Sequence, residues 1–169
     1  MQIAKLSDLK KELRDLSHTE LLAVCLRLAK YKKDNKELIN YLIFESSDES
    51  SYVSAVKQDI IEGFELIHST SIYFAKKGIR KVLRVAAKQI KYSGNKQSEA
   101  EVLICFCEQM MQMNLRFGES RVMMNLFENQ LKKIKKALST LHEDLQYDYN
   151  STIEKIQEWV AAQNRYSSW

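Results

Sequence analysis

The stretch LHEDLQYDYN, Leu141 to Asn150, sets His142, Glu143, Asp144, Tyr147, Asp148 and Tyr149 within eight residues. Asp144 and Asp148 stand four apart, so a helix would place both carboxylates on one face. With His142, and with oxygen or nitrogen ligands from another helix, that face could hold a divalent cation or carry acid–base chemistry. The hydrophobic period puts the cluster at the C-terminal end of a helix running from about residue 120 to 147. Two carboxylates there repel each other and oppose the helix dipole, and local conflict of this kind can mark a functional site. The structural alternative is a fraying helix end, with Asp148 or Asn150 turning the chain toward the next helix. His142, Asp144 and Asp148 are the candidate ligands of a metal-dependent enzyme; no metal, catalytic residue or cofactor is assigned.

Other reactive side chains have simpler local explanations. Cys105 and Cys107 are two apart and point about 200° apart around a helix, which excludes a local metal pair. With Cys25 they read as small buried apolar groups. YSGNK, Tyr92 to Lys96, lacks the spacing of a phosphate-cradling loop and reads as a helix end, with Gly94 left-handed. EQMMQMNLRF, Glu108 to Phe117, reads as core. Arg14 and His18 resemble the Arg and His pairing of the HEPN ribonuclease family. The gap of three residues is shorter than in that family, so no role is carried over to either residue.

A second kind of chemistry lies in FAKKGIRKVLRVAAKQIKYSGNK, Phe74 to Lys96, which has eight cationic side chains and no carboxylate. At about 100° per residue, Lys76, Lys77, Arg80, Lys81, Arg84, Lys88 and Lys91 occupy an arc of about 140° on a helix. Val82, Ala75, Ala86, Ile79, Ile90 and Leu83 gather on another arc, from about 240° to 340°. The charge therefore faces away from the core along roughly 22 Å, at 1.5 Å per residue. No acid occurs between Leu66 and Ser98, so the helix forgoes every stabilising i,i+4 pair within itself. The chain as a whole carries only +4. Such a lopsided charge suits an anionic partner, most simply an RNA or DNA backbone. Few aromatics accompany the cations, which disfavours a lipid surface. The structural alternative is a solvated face, partly neutralised by Asp59, Glu62 and Glu65 on the preceding helix through rim pairs of at most about 1 kcal/mol.

The elements that must position these groups are all helical. The 169 residues include no proline and four glycines, where average usage predicts roughly eight prolines. Length and a hydrophobic fraction of 45% fit one compact domain, residues 1–169, with 165–169 a loose tail. Capping-box patterns at Ser17 and Glu20, Asp34 and Glu37, Ser98 and Glu101, and Ser151 and Glu154 mark helix starts. Ser7, SSDESS from Ser46, HSTS from His68 and FGES from Phe117 mark the others. Eight helices follow, near 8–16, 18–33, 36–45, 49–67, 70–92, 97–117, 120–147 and 151–164. The expected fold is all-α: an antiparallel bundle of about four long helices, three short N-terminal helices over one end, and a C-terminal docking helix. A short irregular array of α-hairpins is the alternative.

LRLAKYKKDNKELINYLIFE, KYSGNKQSEAEVLICFC and LHEDLQYDY resemble segments of a family of small all-helical bacterial proteins, a domain of unknown function. That resemblance implies a compact helical protein and assigns no residue a role. The N-terminus has neither the apolar core of a secretory signal nor the composition of a transit peptide, and no apolar run approaches a spanning length. The expected place is the cytoplasm, without integral membrane association. The sequence thus reads as a non-enzymatic helical binding or adaptor protein, with a protein partner or a nucleic acid backbone, and with homodimerisation through any apolar stripe left uncovered.

Overall fold

The computed structural model describes residues 3–67, 71–113 and 115–166, with side chains as far as Asn164. Their secondary structure is eight α-helices with short π and 3-10 turns, and no strand occurs among them. The fold is all-α. Its contacts gather into two compact units, Met1–Glu45 and Ser46–Trp169.

Unit 1 contains α1 (Leu6–Asp15), α2 (His18–Tyr31) and α3 (Lys33–Asn40), and ends in a π-helical turn at Tyr41–Glu45. Ser17 starts α2 through the expected capping box. Its backbone N–H donates to Glu20 at 2.8 Å, and the Glu20 N–H donates to the Ser17 hydroxyl at 3.3 Å. The Asp34 and Glu37 pattern does not start α3. Lys32 flanks that helix, and Asn35 instead donates to the Leu28 carbonyl at 2.9 Å, tying α3 back to α2. Tyr41 is the one buried side chain among the described residues of this unit. Leu6, Leu9 and Leu13 line one face of α1 at heptad spacing and are 82%, 45% and 42% exposed. Cys25 is exposed as well, contrary to the expectation that all three cysteines would be buried.

Unit 2 contains α4 (Glu49–Glu65), α5 (Ile72–Ser93), α6 (Lys96–Gln112), α7 (Arg121–Leu138) and α8 (Glu143–Tyr166). Helix α6 is its centre, packing on α4, α5, α7 and α8. Val102 through Cys107 are buried in succession, as expected of a helix covered on several sides. Directions follow from named contacts. Tyr52 of α4 donates to Gln89 of α5, while Gly63 approaches Val82 and Ile67 approaches Gly78, so α4 and α5 are antiparallel. Lys57 meets Glu101 and Phe64 packs on Phe106, so α4 and α6 run the same way. Trp159 of α8 sits between Phe117 and Phe127, with ring centroids 5.8 and 4.6 Å away. Burying side chains of this size contributes at most about 1.5–3 kcal/mol each.

The last third of the chain departs from the expected boundaries. The helix expected to run to residue 147 stops at Leu138, and the one expected from 151 begins at Glu143. Among its described residues unit 2 therefore has five long helices, and the C-terminal one is the longest at 24 residues. The cause is local. Ser139 and Thr140 turn their hydroxyls back onto the carbonyls of Lys136 and Ala137, at 2.9 and 2.7 Å, satisfying the open end of α7. Ser151 and Glu154 then fall inside α8 and cap nothing. At the start of α6 the cap is Asn95, whose side chain accepts from the N–H groups of Gln97 and Ser98, at 2.8 and 3.2 Å. Ser98, expected as that cap, is buried and donates to Glu49 instead.

Candidate binding surface along α5

Helix α5 forms as its period demands. Ala75, Ile79, Val82 and Ala86 are buried at spacings of four, three and four, and Gly94 closes the helix with φ of 65°, the left-handed geometry that glycine adopts without strain. His68, Ser69 and Thr70, part of the expected start signal, lie outside the described residues; Ser71 flanks the first turn.

All seven predicted cations lie on this helix. Lys77, Arg80, Lys81, Arg84 and Lys91 are exposed, while Lys76 and Lys88 are half-buried. The Lys76 ammonium stands 6.0 Å from the centre of the Tyr73 ring, at the limit of a cation–π contact. Among the described residues, none of the five exposed cations has a carboxylate within ion-pair distance. Asp59, Glu62 and Glu65 of α4 are exposed and reach none of them.

Beside the cations runs a feature that the charge pattern hid. A cleft of about 470 Å³ opens between α4 and α5. Ile60, Gly63, Gly78 and Val82 line it, and at the two glycines the helices approach too closely for a Cβ, which would stand 2.9 Å from Val82 and 2.8 Å from Ile67. Leu66 and Phe74 stand at its edge, 76% and 71% exposed, and Lys77 and Lys81 border it. Apolar surface, two cations and the Asp59 carboxylate thus meet in one groove. Gly63 and Gly78 lie inside helices, where glycine costs about 1 kcal/mol relative to alanine, and they signal the close approach of α4 and α5 and not the groove itself.

A polar network links four helices elsewhere in unit 2. The Glu49 carboxylate accepts from the hydroxyls of Ser93 and Ser98. Lys57 pairs with Glu101 at 2.6 Å, and the Tyr149 hydroxyl donates to Glu101 at 3.0 Å. Burial pushes the Glu101 carboxyl up, but the hydrogen bond and charge of Lys57, with donors from Tyr149 and Gln97, outweigh it and hold the group below its ordinary value. Burial, the largest cause, raises the Tyr149 hydroxyl. Every polar group in this network faces another one, which makes it a joint between helices. Ser98 and Glu101 belong to it, two residues whose spacing suggested a cap.

The LHEDLQYDYN cluster is arranged differently from expectation. His142 precedes α8, Glu143 and Asp144 lie in its first turn, at the favourable end of the helix dipole, and Asp148 lies one turn further in. His142, Glu143, Asp144 and Asp148 are exposed, and the His142 Nδ1 lies 3.3 Å from Asp144. No group of three or more His, Cys, Asp or Glu among the described residues converges as metal ligands would. Arg14 lies in the last turn of α1 and His18 begins α2, both exposed. Burial, aided by the Glu108 charge, pushes the Cys105 thiol up to about 11, away from thiolate chemistry. The Cys107 thiol is raised further by the same causes.

Compared with known proteins, the chain matches no family model, no curated protein and no solved structure. No helix among the described residues is long and apolar enough to cross a membrane.

Proposed function

We propose that this chain is a non-enzymatic helical binding protein whose α4–α5 cleft receives an acidic amphipathic helix from a partner protein. One observation carries the reading: the groove joins apolar surface to two cations, Lys77 and Lys81, that have no carboxylate partner among the described residues. A helix laid in a groove buries apolar residues at i, i+3, i+4 and i+7 and turns its polar flank to the rim. Here Lys77 and Lys81 stand on the α5 side, opposite Asp59 on α4, so the flank turned to α5 must be acidic. From Phe74 to Val85 the groove follows α5 for roughly 16 Å, about three turns of a docked helix. Phe74 and Leu66 supply the apolar anchors, and the cations supply register and encounter rate.

Two further partners and a compartment belong to this reading. The exposed Leu6, Leu9 and Leu13 stripe supports a second copy of the chain as a partner through α1. An RNA or DNA backbone along Lys76 to Lys91 is the second reading for α5, supported by the exposed cations beyond the cleft. The three free cysteines support a reducing, cytoplasmic setting.

Salt dependence and Phe74 separate the two readings of α5. An acidic helical peptide titrated at 50 and 200 mM salt should lose less than about tenfold in affinity, and Phe74→Ala should abolish its binding. A nucleic acid making about four phosphate contacts should lose roughly a hundredfold and ignore Phe74→Ala. Binding of neither ligand at 50 mM salt would remove both.

A further inference from the structure

Helix α1 is ten residues long, and none of them is buried. A helix so short is marginal in water by itself, so its persistence calls for a surface to lie on. Its pattern says what kind. Leu6, Leu9 and Leu13 stand at i, i+3 and i+7, the anchor spacing of a helix laid in a groove. At about 100° per residue from Leu6, the acids Asp8, Glu12 and Asp15 gather at about 180–240°, on one flank of the leucines. Lys10, Lys11 and Arg14 gather on the other flank, at about 40–140°. The helix is thus acidic along one side of its apolar seam and basic along the other.

The α4–α5 groove carries the same asymmetry in reverse. Lys77 and Lys81 stand on its α5 wall and Asp59 on its α4 wall. Glu62, three residues beyond Asp59, is exposed as well. We infer, resting on the reading of this groove as a helix site, that its occupant is α1 of a second copy of the chain. Asp8 and Glu12 then face Lys77 and Lys81, Lys10 and Arg14 face Asp59, and the leucines fall between the exposed Leu66 and Phe74. Length agrees, since the ten residues of α1 rise about 15 Å against roughly 16 Å of groove. Turning a helix end for end exchanges its flanks, so only one direction satisfies both walls. Each chain brings one α1 and one groove. Two copies that exchange α1 therefore fill both grooves and close as a symmetric pair, with no open end for a third.

The test uses the full chain, by light scattering at low salt, where the parent should have a mass near twice 19.8 kDa. Asp8→Lys with Glu12→Lys reverses the acidic flank, and Lys77→Glu with Lys81→Glu reverses the α5 wall. Either double variant alone sets like charges together in both grooves and should raise the dimer dissociation constant by at least about tenfold. Mixed in equal amounts the two should dimerise again, because α1 of each then meets the groove of the other with opposite charge. A seam between two α1 helices would produce neither the loss in the Lys77→Glu, Lys81→Glu chain nor the recovery on mixing. The inference is overturned if the parent is a monomer at every concentration, if the groove variant stays dimeric, or if mixing restores nothing. An acidic helical peptide titrated into the Leu9→Glu, Leu13→Glu chain reads the groove by itself. Peptide binding without recovery on mixing would overturn the inference and keep the groove as a helix site; the absence of both would remove both.

Discussion

Gly63 of α4 approaches Val82 of α5 so closely that a Cβ at Gly63 would stand 2.9 Å from Val82 Cγ2. The reciprocal approach lies at Gly78, where a Cβ would stand 2.8 Å from Ile67 Cγ1. Both neighbours are β-branched and stiff, so neither can swing away without leaving its rotamer. Gly63→Ala would gain about 0.5–1 kcal/mol of helix propensity and lose about 1–3 kcal/mol to overpacking. The expected outcome is a net loss of about 1 kcal/mol in urea unfolding. A gain in stability would show that the two helices do not approach this closely.

Glu101 predicts how unit 2 responds to acid. Lys57 is its nearest charge, and the carboxyl is held below its ordinary 4.5 despite burial. A group with a depressed folded-state pKa stabilises the fold above its unfolded value and loses that contribution as pH falls through the folded value. Glu101→Gln should therefore cost about 1 kcal/mol at pH 7, a figure kept small by the partial exposure of both partners. Below pH 4.5 the parent and variant melting curves should converge. A gap that persists unchanged at pH 3 would place the stabilisation in hydrogen-bond geometry and not in charge.

Much of this architecture was legible from periodicity and composition, and the misplaced boundaries of α6, α7 and α8 share one physical origin. The apolar period of α5 and the absence of proline predicted helices correctly, because local propensity and tertiary packing agree there. Side-chain hydroxyls were the ambiguous signal. Ser98 was legible as a cap, yet its hydroxyl serves Glu49 across the helix interface. Ser139 and Thr140 looked like mid-helix residues, yet their back-bonds end α7. A serine offers the same chemistry in either role, and only the three-dimensional neighbour decides between them. The seven α5 cations were visible as a stripe. The groove beside them was not, since it depends on where two packed helices leave side chains apart.

Charge repulsion within α5 is itself measurable. Lys76, Arg80, Arg84 and Lys88 follow one another at i,i+4, and like charges at that spacing destabilise a helix. Arg80→Glu would convert two repulsive neighbours into attractive ones and should raise stability by about 0.3–1 kcal/mol at low salt. A variant more stable than the parent and weaker in partner binding would show charge kept at the expense of stability. Unchanged or lower stability would mean that the cations already have compensating partners.

The leucine stripe of α1 carries a prediction of oligomeric state. Leu6, Leu9 and Leu13 occupy a and d positions, with Lys10 and Glu12 beside them, a pattern that can pair with its own copy. Light scattering at tens of micromolar should give a mass near twice 19.8 kDa, and Leu9→Glu with Leu13→Glu should return it to one chain. Ten residues, fewer than two heptads, make a weak seam, so the dimer should dissociate on dilution. A monomer at every concentration would leave the stripe without this role.

Asp144 and Asp148 separate two accounts of the same residues. At the end of a long helix their removal would relieve repulsion, and Asp144→Asn with Asp148→Asn would stabilise the protein. In the first turn of α8 the Asp144 carboxylate faces the positive end of the helix dipole, and the Asp144 N–H also lies 3.4 Å from the His142 Nδ1. Loss of the pair should then lower Tm by roughly 1–3 °C, and less at high salt, where the dipole interaction is screened. Divalent cations provide the second measurement. If the pair held a metal, magnesium or manganese would raise Tm in the parent and not in the double variant. On the geometry of α8, Tm should move little with either ion, and the small electrostatic loss on substitution should be the same with and without them.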